Sequence, residues 1–245
     1  MLPATGEKLL TTLVGKLQKT YGDALVSVVL YGSAAAGDHQ AHYSDYNILC
    51  VLRDVSVREL SKSEEVFRWW REQGSPSPLL LSEQELLAST DSFAIEFRDI
   101  RASHRILHGA DVIASLPPEE RYYRAQLEHE LRAKFFRLRQ KAAGMLSDTE
   151  LLRRLLVDSI STFCVLFRHA LTLSGQDGGA NKRETISRAR DAFGIDAHPF
   201  ERLLDVREER IKPRDLDPGG LLADYMKGIS IVIDAVDRAG KQEQP

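Results

Sequence analysis

Only two cysteines occur in the 245 residues, Cys50 and Cys164, and they share no metal-type spacing. That excludes a disulfide framework and points to reduced thiols in a cytoplasmic protein. A basic excess is also missing. The net charge is −3 and the pI about 6.2, which argues against a nucleic-acid partner and for small-molecule or protein partners. No apolar run approaches the length expected of a bilayer span, so no membrane association is expected. Glu7, Lys8 and Lys16 interrupt the first twenty residues and argue against a secretory signal. Nothing in the chain matches a Walker loop, a G-x-S-x-G elbow or a dinucleotide fingerprint.

What is present is a core-forming chain, 43% hydrophobic and 28% charged, large enough for two domains. Leu9, Leu10, Leu13, Val14 and Leu17 recur at helical spacing, which predicts a helix over 4–21. Residues 24–31 (ALVSVVLY) form a short β-branched run and predict a buried strand. Gly32-Ser33 breaks it, and a short helix opens at Ala34. A second apolar run, Tyr46 to Leu52, predicts another strand. Residues 57–72 read as a helix with Leu60, Val66, Phe67 and Trp70 toward a core, and Leu79 to Leu81 as a third strand. Ser82 with Glu85 forms a capping-box pattern. Phe93, Ile95 and Phe97 alternate with Ala94, Glu96 and Arg98, which predicts a fourth strand.

Beyond Pro117-Pro118 the periodicity turns helical. Leu127, Leu131, Phe135, Leu138 and Ala142 make one stripe. Further helices are predicted over 149–174, 181–193, 198–209 and 218–238, and no strand beyond about residue 100. The apolar stretch 160–173 fits either a core or a homodimer interface. The expected organisation is an α/β (α+β) domain over 1–117 with a small mixed sheet, followed by an all-helical bundle over 118–245.

The stretch that carries chemistry is Leu30-Tyr31-Gly32-Ser33, eleven residues, then Asp45-Tyr46-Asn47-Ile48-Leu49. Residues two apart on a strand point to the same side, so positions 45 and 47 can reach one metal site. Gly32 allows the backbone to approach a phosphate, and Ser33 supplies a hydroxyl.

This strand, Gly-Ser turn, helix, loop and strand resembles the signature of the polymerase-β-like nucleotidyltransferases, the superfamily of kanamycin nucleotidyltransferase and the minimal nucleotidyltransferases. The resemblance spans about residues 24–110. It implies transfer of a nucleoside monophosphate from a nucleoside triphosphate to a hydroxyl of a small molecule or protein, with Mg²⁺ or Mn²⁺ as cofactor. It implies Asp45 as a ligand to both metals, Gly32 and Ser33 around the triphosphate, and a third carboxylate from a later strand. Glu96 is the candidate for that third ligand and for general base, with Asp99 as runner-up. The family's second acid is Asn47 here, a neutral oxygen ligand that brings no charge. Losing that charge leaves a second reading open, a degenerate scaffold acting as a binding, regulatory or antitoxin-like protein.

Two other segments stand out. His104 to Gly109 places histidines four apart without the acid of a zinc protease, and its Arg-x-Leu-x-Gly form suits a structural role. Arg132, Lys134, Arg137, Arg139 and Lys141 form a basic run, with Lys134, Arg137 and Lys141 on one helix face. That face reads as solvated or as a site for phosphate or polyanion.

Overall fold

Leu10, Leu13 and Leu17 fall on one face of helix α1 (Ala4–Tyr21) and are wholly buried against a sheet. The computed structural model describes residues 4–36, 46–117 and 121–241. Those residues fall into two compact units, Met1–Arg121 and Tyr122–Pro245.

In the first unit, strands β1 (Leu25–Tyr31), β2 (Asn47–Leu52), β3 (Leu79–Ser82) and β4 (His104–Gly109) form a mixed sheet in the order β3-β2-β1-β4. β1 runs antiparallel to β2 and β4, and β2 runs parallel to β3. Alternation along the strands divides the core. Val28, Leu30, Ile48, Cys50 and Leu52 pack with α1 and with Trp70 of helix α3 (Val57–Glu72). On the opposite face, Val29, Leu49 and Val51 pack with Leu86 of α4 (Glu83–Ala88), Ile100 of α5 (Ala94–Ala102) and Ile113. Each fully buried Leu or Ile of this kind contributes about 1.5–3 kcal/mol. Ser82 and Glu85 form the reciprocal capping box that fixes the turn from β3 into α4. Between β1 and β2 a single helical turn, α2 (Ser33–Ala36), follows Gly32.

Three expectations are corrected. Residues 93–97 are not a strand. Ala94 to Ala102 is helix α5, with Ala94, Ile95 and Ile100 buried and Phe97 half-buried, a spacing that fits a helical face. Five alternating residues were too short a window to separate the two periods. The fourth strand is instead β4, beyond residue 100, where His and Arg flank Ile106 and Leu107 and hide the apolar signal. Leu60 lies half in solvent, and the buried face of α3 is Ser63, Val66 and Trp70.

The segment His104 to Gly109 therefore serves the sheet. The two terminal guanidinium nitrogens of Arg105 bond the Glu7 carboxylate on α1, at 2.6 and 3.1 Å, which holds that carboxyl below its usual pKa. Gly109 sits at φ +79° so close to the Val26 carbonyl that no side chain fits there.

The second unit is all helical: α6 (Tyr123–Ala143), α7 (Thr149–Leu173), α8 (Lys182–Phe193), α9 (His198–Arg207) and α10 (Pro218–Lys241). α7 is the central helix, and Phe163, Phe167, Phe200 and Tyr225 stack around it with ring centroids 4.9–6.5 Å apart. By length and composition alone α7 is long and apolar enough to cross a membrane, contrary to the sequence expectation, and half of its most apolar window is buried inside the protein. Arg183 ties α8 to α9 through Asp205 at 2.7 Å and Glu208 at 2.8 Å.

Candidate functional site

The loop between β1 and β2 begins with a tight turn. Gly32 adopts φ +78°, a left-handed conformation that favours glycine, and its carbonyl accepts the Ala35 amide at 3.0 Å. Ser33 opens α2. Residues 37–45 lie outside the described residues, so Asp45, the first acid of the motif, is not placed. Asn47 is the first residue of β2, opposite Tyr31 in the ladder. A Cβ added to Gly32 would lie 3.2 Å from Nδ2 of Asn47. The glycine of the turn and the amide of the motif are therefore brought into one corner.

Tyr31 is also opposite His104 on β4. Asn47, Tyr31 and His104 thus form a row across three adjacent strands, on the face that carries Val29 and Leu49. Burial pushes the Tyr31 phenol above its ordinary pKa. His104 Nε2 lies 3.3 Å from Oδ1 of Asp111. Asp111 also accepts the amides of Ile113 at 3.2 Å and Ala114 at 3.0 Å, and these bonds, Ala114 first, hold its carboxyl below the usual range. Sequence reasoning missed this row, because it depends on β4 pairing with β1. The Arg-x-Leu-x-Gly segment was the available signal.

Glu96 does not join the row as a strand residue. It occupies the first turn of α5 and is exposed, and Asp99 follows one turn later on the same helix, half-buried. The later strands are β3, of sequence LLLS, and β4, of sequence HRILHG, and neither contains an acid. Among the described residues no three His, Cys, Asp or Glu side chains gather in a metal-holding set.

No protein-family model matches this chain, and no curated protein does. Among solved structures it is similar to spectinomycin adenyltransferase AAD(9) from Enterococcus faecialis, solved with ATP and spectinomycin. The TM-score is 0.60 at 14% identity, and the match covers 94% of this chain and 99% of the other. The likeness therefore includes the helical unit as well as the sheet, and the architecture is that of a nucleotidyltransferase fold followed by a helical region.

Proposed function

We propose that this chain is a nucleotidyltransferase-like protein that binds a nucleoside triphosphate at the Gly32 and Asn47 corner, with Ser33 and Asp45 of the same motif as further ligands, and that it has given up two-metal transfer. The observation that carries this reading is the acid count. Asn47 stands where the family's second carboxylate is expected, Glu96 lies on an exposed helical turn, and neither later strand carries Asp or Glu. Two close divalent cations repel each other, and carboxylates on at least two strands are the usual means of offsetting that repulsion. Among the described residues, the donors supply no such set of carboxylates.

The features suited to holding a triphosphate are of a different kind. Gly32 has no side chain to hold a phosphate off its backbone, and the amide of Asn47 stands beside it. Ser33 adds a hydroxyl, and Asp45 a single charge for a cation that arrives with the nucleotide. The chain would then act as a binding or regulatory protein built on a transferase scaffold.

A second reading keeps the transfer activity. It is favoured by the extent of the likeness, since the adenyltransferase that carries ATP and spectinomycin is matched over 99% of its length. A pyrophosphate-release assay separates the two. The protein is incubated with each ribonucleoside triphosphate, Mg²⁺ and hydroxyl-rich acceptors that include spectinomycin. The proposal expects release at the buffer background. Sustained, acceptor-dependent release would establish the second reading.

A further inference from the structure

Among the described residues, the five cations of the 132–141 run divide by what they touch. Arg132 bonds Glu128 at 2.8 Å, Lys134 lies 3.5 Å from Glu130, and the Arg139 guanidinium stands 5.3 Å from the centroid of the Phe135 ring. Arg137 and Lys141 meet no acid among those residues. One turn apart on α6, both line an open groove of about 170 Å³ between α6 and α7. Lys134 joins them on the same wall, half-buried Leu155 provides apolar surface over the buried Leu138 and Phe163, and Thr162 stands on the α7 side. The same two cations border a broader hollow of about 580 Å³ beside Phe136, a phenylalanine 55% exposed. One acid, Asp158, lines the narrower cavity, and it is turned to Arg154 at 3.8 Å.

Arg137 and Lys141, which meet no acid among the described residues, leave this groove an excess of positive charge. The guanidinium fork of Arg137 suits a tetrahedral or planar oxyanion. The adjoining Leu155 side chain suits a small apolar body. We propose that the α6–α7 groove is a binding site for a small organic anion, an oxyanion head held by Arg137, Lys141 and Lys134 with an apolar body against Leu155. The site lies wholly within the helical unit and does not depend on the nucleotide-binding reading above.

The test is calorimetric titration of the full chain with phenyl phosphate in chelator-containing buffer, beside inorganic phosphate and benzyl alcohol. The proposal expects phenyl phosphate to bind at least tenfold more tightly than either part alone. It expects the double substitution Arg137→Ala, Lys141→Ala to weaken binding at least tenfold. These side chains are exposed, so the variant should fold. Thr162→Trp, which fills the cavity without changing charge, should weaken binding similarly. Wild-type affinity in the double variant would overturn the proposal. So would loss of binding in Asn47→Ala, which would place the phosphate in the other unit, or tighter binding of a single-stranded oligonucleotide through Arg137 and Lys141, which would make the groove a polyanion surface.

Discussion

Gly32 and Asn47 share one corner of the sheet: a Cβ on the glycine would stand 3.2 Å from the asparagine Nδ2, with Gly32 held at φ +78°. Turn and motif are separated by fourteen residues of chain, yet they form a single unit. A change at either position therefore tests the other.

Gly32→Ala places a side chain in left-handed backbone and against Asn47. The expected cost is about 1–2 kcal/mol of stability, read as a lower midpoint in urea denaturation with an unchanged slope. Nucleotide affinity should fall with it, because the new methyl displaces the Asn47 amide. An unchanged midpoint would show that this turn is not under the constraint its φ implies.

Asn47→Asp restores one charge to the corner. Magnesium-dependent affinity for a nucleoside triphosphate should rise about tenfold, equivalent to about 1.4 kcal/mol. Pyrophosphate release should stay at background, since β3 and β4 still supply no acid. Strong turnover in this single variant would mean that a third acid is provided from elsewhere.

Glu96→Gln should leave nucleotide affinity within about twofold and stability within about 0.5 kcal/mol. Its place on the exposed first turn of α5, and not on the sheet, is the reason. A large loss of metal-dependent binding would return Glu96 to the ligand set.

Alkaline pH should destabilise the fold through its two thiols. Burial pushes both Cys50 and Cys164 from 9.0 up to about 12. Between those values the unfolded thiols release protons that the folded ones retain, so unfolding becomes more favourable as pH rises. Each thiol contributes a slope of about 1.4 kcal/mol per pH unit there. Denaturation midpoints measured between pH 8 and 10 should fall, and replacing both cysteines with Ala should flatten the dependence.

The architecture was largely readable because long helices and buried strands carry strong periodic signals. The stripe Leu127, Leu131, Phe135, Leu138, Ala142 is buried on α6 throughout, and the runs before Gly32 and after Tyr46 are the two central strands. Short elements were less readable. Phe93 to Phe97 fits a period of two over five residues, yet the buried positions of the longer segment follow a helix. β4 keeps only two aliphatic residues between His and Arg, and its identity comes from pairing with β1. The corner itself was half legible. The Gly-Ser turn and Asn47 stood out as residue types, but the row Asn47, Tyr31, His104 exists only through strand register.

The most direct test of nucleotide binding is calorimetric titration of the protein with each of the four ribonucleoside triphosphates, in excess magnesium and again in chelator. At least one triphosphate should bind, with affinity weakened by chelator and by Asp45→Ala. No heat of binding for any triphosphate under either condition would contradict nucleotide binding at this corner.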